Sequence, residues 1–189
     1  MDKKKELSKV AEEIRKCGLC KKWGTGEPVP GEGFADAKVV FIGEAPGRQE
    51  AKTGRPFVGR SGRLLRSMIS EIGLKEEDVY ITSPVKYLPL SGTPSRENVL
   101  HGRRHLMKQL AIIDPGIIVL LGNIACLALL DRKVAMRKEH GTVVRSAGGT
   151  YFITYHPAYA LRFPDGKKEM REDFGALAKL ISVHRKNRP

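Results

Sequence analysis

Two hydrophobic periodicities alternate along this chain. Short unbroken apolar runs, rich in β-branched residues and bounded by turn formers, occur at "KVVFIG" (38–43), "DVYITS" (78–83), "GIIVLLG" (116–122) and "TYFITYHP" (150–157). Runs of this length and composition predict buried strands. Between and around them, apolar positions recur every three or four residues and predict helices over 6–16, 61–72, 97–113, 124–130 and 167–184. The stretch "GTGEPVPGEGF" (24–34) is too rich in Gly and Pro for regular structure and reads as a loop. "TVVRSAGGTYFITY" carries two strand-like runs around Ala147, Gly148 and Gly149, which predicts a hairpin leading into the last strand.

Strand and helix alternation predicts an α/β fold, a three-layer αβα sandwich around a mainly parallel four-stranded sheet. No internal repeat or linker divides the chain, so residues 1–189 are expected to form a single domain. Ligands of such sheets bind at the carboxyl ends of the strands. The residues just past the four strands, "GEAPG", "SPVK", "GN" and "HPAY", are polar or turn-forming, as a shared active-site rim requires.

Composition narrows the class. The longest apolar run is far too short to span a bilayer, and the charged N-terminus lacks the apolar core of a signal peptide. With only three cysteines, this points to a reducing, cytoplasmic location without disulfides. A formal charge of +13 and a pI near 9.8 point to a polyanionic partner, most simply nucleic acid. Only three Asn and two Gln hint at a heat-adapted source. Cys17 and Cys20 stand at C-x-x-C spacing, suited to a metal, an iron–sulfur cluster or a redox pair, whereas Cys126 reads as a buried core thiol.

Two segments carry candidate chemistry. In "GEAPGRQEAKTGRPFVGRSGRLL", Gly43 and Gly47 permit a tight turn close to a ligand, and Gly59-Arg60-Ser61-Gly62 opens a helix whose free N–H groups suit a phosphate. Phe57 between them is either a core residue or a platform for a nucleobase. In "YHPAYALR", His156 follows a strand, where a histidine is either structural or catalytic, and the bulky tip has little structural reason to be exposed.

These segments resemble the first and second motifs of the uracil-DNA glycosylase superfamily, specifically its family four branch from bacteria and archaea. The register of "CGLC", Thr93-Pro94, Asp114-Pro115 and "LGNIA" extends the resemblance over nearly the whole chain. It implies an enzyme of base excision repair that flips uracil out of DNA and hydrolyses its N-glycosidic bond. By the same resemblance, His156 donates a hydrogen bond to the uracil O2 as it becomes anionic, and Phe57 stacks on the base. Gly43, Glu44 and Ala45 form the loop under the sugar, with Glu44 and Glu50 positioning water or supporting the cation. Leu161 and Arg162 wedge into the minor groove, and Arg60, Ser61, Lys86 and Tyr159 complete the DNA contacts. DNA is thus the expected partner of a monomer that binds no membrane.

Two positions depart from the family pattern. Where family four reads uracil with an Asn amide, this chain has Ser83, which is shorter and makes no bidentate contact. Family four also holds a four-iron–four-sulfur cluster on four cysteines. Cys17 and Cys20 match two of them, but Tyr87 and Gly102 fall at the other two, with His101 and His105 near the fourth. The expectation is chemistry that needs no cofactor, and an incomplete cluster set. The alternatives are a glycosylase for another deaminated base such as hypoxanthine, or a catalytically weak DNA-binding relative.

Overall fold

The computed structural model describes residues 2–146 and 148–187. Helix α1 (Lys3–Lys16) begins three residues earlier than its apolar stripe indicates, because the Asp2 side chain accepts from the Lys5 N–H and caps it. A corner at Cys17 leads into α2 (Gly18–Lys22). The Gly/Pro-rich stretch, expected as pure loop, contributes two short strands, β1 (Gly24–Thr25) and β2 (Glu32–Gly33). Next come β3 (Val39–Ile42), α3 (Glu50–Thr53), α4 (Arg60–Glu71), β4 (Val79–Thr82) and β5 (Leu88–Pro89). The Ser95 hydroxyl caps α5 (Arg96–Ile113), which is followed by β6 (Ile117–Leu121), α6 (Asn123–Leu130) and α7 (Met136–Glu139). Strands β7 (Val143–Ser146) and β8 (Gly149–Thr154) then precede α8 (Pro157–Arg162) and α9 (Gly166–Asn187).

The main sheet has the order β2-β4-β3-β6-β8-β7. Its four central strands are the four that the apolar runs predict, and they are mutually parallel. The sheet is nevertheless six-stranded, not four-stranded, because β2 and β7 add antiparallel edges. The expected hairpin is the β7–β8 pair, Val143 opposite Phe152 through Ser146 opposite Gly149. Its turn residue Ala147 lies outside the described residues.

Alternation along the parallel strands divides the core into two layers. Val39, Phe41, Ile117, Val119 and Leu121 face one side and pack with Leu65, Met68 and Ile69 of α4 and Met170, Phe174 and Leu177 of α9. Val40, Ile42, Ile118 and Leu120 face the other and pack with Leu106, Leu110 and Ile113 of α5 and Ala125 and Cys126 of α6. Cys126 is therefore the core thiol its apolar surroundings suggest. Burying each large side chain contributes roughly 1.5–3 kcal/mol.

One core residue corrects a sequence expectation. Lys86, read as a DNA contact, is only 1% exposed. Its Nζ donates to Pro30 O at 3.0 Å, Thr82 Oγ1 at 2.7 Å and Gln109 Oε1 at 2.7 Å. Three acceptors meet the three donors of an ammonium, so nothing is left for a phosphate. The lysine instead ties β4 to α5 and to the segment entering β2, while burial pushes its pKa down to about 7. Lys86→Ala removes three buried hydrogen bonds and leaves a cavity among Pro30, Thr82 and Gln109, and is expected to destabilise the fold by about 3 kcal/mol or more in denaturant titration. The salt dependence of DNA binding should keep its slope, since no phosphate contact is lost.

Candidate active site

The cleft forms where the loops after β3, β4 and β8 converge. It has a volume of about 390 Å³ and is lined by Glu44, Ala45, Phe57, Ser83 and His156, among others. Three of the four strand ends expected at one rim supply lining residues. The fourth, after β6, backs the site: a Cβ at Gly122 would lie 3.1 Å from the His156 Cβ.

Glu50 organises the floor. Its Oε1 accepts from the Val58 and Gly59 N–H groups, both at 2.8 Å, and Oε2 accepts from Gly47 N–H at 3.1 Å. The carboxylate thus joins the glycine turn after β3 to the entry of α4. The Gly59 amide at that helix entry, read from sequence as free to hold a phosphate, is occupied by the protein's own anion.

Phe57 is held in an uncommon conformation. Its φ is 52°, in the left-handed region that costs a bulky residue of order 1–3 kcal/mol. Two glycines make room for it. A Cβ at Gly62 would fall 1.9 Å from the Phe57 carbonyl oxygen, and one at Gly43 would fall 2.6 Å from its ring. Arg66 donates from Nε to Phe57 O at 3.3 Å and from its terminal nitrogen to Pro56 O at 3.2 Å. That guanidinium is in turn 2.6 Å from Glu32 Oε1, which lies on β2. Burial alone raises the Glu32 carboxyl, but hydrogen bonds from Arg55 and Arg66 bring it below the usual range. The ring of Phe57 ends up 5.8 Å from that of His156, centroid to centroid, with the planes tilted by 36°.

His156 caps α8. Its Nδ1 accepts from the Ala158 N–H at 3.2 Å, which puts the proton of the neutral ring on Nε2. Desolvation pushes its pKa down to about 4. Below it, Tyr155 and Tyr159 stack at 4.4 Å with planes 9° apart, and Phe163 packs on Tyr159 at 4.7 Å. Tyr159, read as a DNA contact, is thus held in an aromatic stack that supports α8.

The remaining residues differ in how they are committed. Ser83 is buried, and its hydroxyl donates to Val85 O at 2.7 Å, so towards the cleft it has only lone pairs to offer. Glu44 is half-buried with no hydrogen-bond partner among the described residues, and burial raises its carboxyl above the usual range. Ala45 presents a methyl group. A second groove adjoins the cleft and brings together Arg60, Ser61, Leu161 and Arg162, as the sequence expects, with Leu161 42% exposed. It also includes Arg48, which sequence reasoning missed although it lies in the same glycine-rich segment. Arg48 lines both cavities. Leu88 was also missed, and the pairing of β5 with β1 brings it to the cleft.

Cys17 and Cys20 lie away from this cleft, at the corner of α1 and α2. They meet His101 and His105 of α5 there, with the four candidate ligand atoms all within 4.8 Å of one another.

A family model of the uracil DNA glycosylase superfamily matches residues 30–178, which include Glu44, Ala45, Phe57, Ser83 and His156 of the cleft. The chain is 40% identical over 188 residues to a Type-4 uracil-DNA glycosylase of Saccharolobus solfataricus, covering 93% of this chain and 87% of that protein. It is 42% identical over 157 residues to a Type-4 uracil-DNA glycosylase of Thermotoga maritima, covering 81% and 82% respectively. A Type-5 uracil-DNA glycosylase of Pyrobaculum aerophilum is 33% identical over 150 residues, covering 70% of this chain and 66% of that protein. With this match and a cleft assembled from both of its motifs, the chain belongs to the uracil DNA glycosylase superfamily.

Proposed function

We propose that this chain is a uracil-DNA glycosylase that flips uracil out of DNA and hydrolyses the bond joining it to deoxyribose. The observation that carries this reading is the pairing of Phe57 and His156 across one cleft, an aromatic face beside a neutral imidazole whose proton sits on Nε2. Cleavage breaks the C1′–N1 bond, and its electron pair stays on the base, whose negative charge spreads to O2. The His156 Nε2–H donates to that oxygen, which is stabilisation of developing charge by a donor already in place. Phe57 stacks on the flipped ring. Water adds to C1′ and loses a proton, with Glu44 as the group that orients it and faces the cationic sugar. Glu50, whose oxygens are committed to backbone amides, acts by positioning the two loops.

Recognition at the base edge falls to Ser83. With its proton spent on Val85 O, the hydroxyl accepts from the N3–H of uracil. Cytosine has a lone pair at N3, so the same contact is repulsive, but no partner reads O4. This one-sided contact gives less discrimination than an amide does, by about 1–3 kcal/mol.

The duplex lies along the second groove, where Arg48, Arg60 and Arg162 meet phosphates and Leu161 fills the vacated stack. The +13 charge supplies the long-range attraction. In this reading the chain works as one domain and as a monomer. Among the described residues no helix is long and apolar enough to cross a membrane.

Purified protein should release uracil from a uracil-containing oligonucleotide, read as strand cleavage after alkali. No cleavage would overturn the proposal, and cleavage only of a hypoxanthine substrate would favour the other-base reading. His156→Ala should lower excision at least tenfold, towards the 10²–10³ typical of losing one such donor, about 3–4 kcal/mol. Because His156 stays neutral above about pH 4, the rate should show no inflection at the usual imidazole pKa. The acid limb should instead follow Glu44, whose carboxylate role is lost as pH falls through its raised pKa. Ser83→Asn should raise the uracil rate and the preference for uracil over cytosine. If neither changes, Ser83 is not the base-reading residue.

A further inference from the structure

We propose that Cys17, Cys20, His101 and His105 bind a single zinc ion, a structural site that pins the α1–α2 corner to α5. Their sequence spacings are C-x2-C and H-x3-H, both within the range of tetrahedral zinc sites. The fold makes the two pairs meet. The corner at Cys17 turns both cysteines towards α5, and one turn of that helix puts His101 and His105 on the same face. All four ligand atoms lie within 4.8 Å of one another, and Cys17 Sγ is 3.1 Å from His101 Nε2. A tetrahedral ion with bonds of about 2.0–2.3 Å spaces its ligands by about 3.3–3.8 Å, so only small side-chain adjustments close the shell. His105 Nδ1 is buried without a hydrogen-bond partner, a polar atom in want of an acceptor or an ion. Trp23 packs edge-on to His101 at 5.6 Å, and Val10, Ile14 and Tyr87 form the apolar shelter around Cys20.

The same surroundings do not fit a four-iron–four-sulfur cluster. Such a cluster takes four thiolates and inserts a cube of iron and sulfide between them, so its ligands stand further apart than around one ion. Here there are two thiolates. Tyr87 and Gly102 occupy the other two family positions, and a Cβ at Gly102 would lie 2.1 Å from Pro84 O. The cavity beside Tyr87 and Gly102 holds about 10 Å³, one water's worth of space. Two sulfurs and two imidazole nitrogens in tetrahedral array suit zinc or an iron–sulfur centre, and ligand atoms all within 4.8 Å of one another fit one ion in place of a two-iron unit. On binding, the two thiols release their protons to solvent and the imidazoles ligate as neutral rings. The ion takes no part in bond cleavage, so this inference stands whether or not uracil proves to be the substrate.

The test uses the full chain. Elemental analysis after expression in zinc- and iron-replete medium should give one zinc per chain, with neither iron nor acid-labile sulfide. Protein stripped of metal and titrated with cobalt(II) should develop the intense visible bands of a tetrahedral ion together with thiolate-to-cobalt charge transfer, saturating at one equivalent. His101→Ala and His105→Ala should each weaken zinc binding by more than about 100-fold in competition with a chelating dye, beyond what losing a mere supporting partner costs. Iron with sulfide in the isolated protein would overturn the proposal. So would a cobalt spectrum lacking the tetrahedral bands, or zinc affinity unchanged in a folded histidine variant. If both variants fail to fold, the cobalt titration of the unmodified chain decides between these outcomes.

Discussion

The active-site cleft depends on one buried carboxylate. Glu50 lies eight and nine residues before the amides of Val58 and Gly59 and three after that of Gly47, and it binds all three. Charge-assisted bonds to backbone N–H groups are among the stronger hydrogen bonds available to a protein, and two of these sit at the positive end of α4. The carboxylate therefore does locally what a bound anion does at other helix N-termini. It fixes the distance between the turn carrying Glu44 and Ala45 and the segment carrying Phe57 and Ser61. With that distance set, the Phe57 ring and the Glu44 carboxyl keep a constant relation even though both lie on loops.

The strain at Phe57 follows from the same arrangement. A left-handed phenylalanine persists only where its surroundings over-determine it. Here they do so from three directions: the missing side chains at Gly43 and Gly62, the Arg66 guanidinium on its carbonyl, and Glu32 behind that guanidinium. Glu32 comes from the Gly/Pro-rich stretch, so the edge strand β2 has a role beyond extending the sheet. It anchors the ion pairs that hold the aromatic ring in place before any base arrives. Preorganisation of this kind removes the ordering cost that a mobile ring would incur on binding.

The two layers of the core were legible because they rest on period: alternate residues of β3 and β6 enter opposite layers, and the helices recur every three to four residues. The two motifs were legible as segments, and most of their residues do meet at one cleft. What stayed hidden are the choices that depend on partners remote in sequence. Lys86 looks like a surface cation until Pro30, 56 residues away, and Gln109 close around it. The strands β1, β2 and β5 have two residues each and carry no period at all; tertiary pairing alone creates them. The stacking of Tyr159 on Tyr155, which leaves it half-buried, was not visible in the "AYALR" tip either. The four candidate metal ligands were related in the sequence only through the family register, which places His101 and His105 near the fourth cluster position; that α5 packs against the α1–α2 corner, with 80 residues between Cys20 and His101, is a matter of tertiary structure.

The composition of the cleft also bears on how the barrier is lowered. Ala45 supplies no base, and Glu50 is occupied, which leaves Glu44 as the one acidic side chain there without a protein partner among the described residues. Burial raises its pKa, and in the proposed mechanism its ionised carboxylate, facing a cationic sugar in a low-dielectric cleft, is a strong electrostatic partner. In the same mechanism His156, held neutral, stabilises the departing base by a hydrogen bond without giving up its proton. Both groups therefore act most strongly when the C1′–N1 bond is largely broken and charge has separated. Such a site gains little from a powerful nucleophile, and a methyl group at position 45 is compatible with efficient departure. In the same proposal the hydroxyl of Ser83 selects the base that the cleft holds in place for this departure.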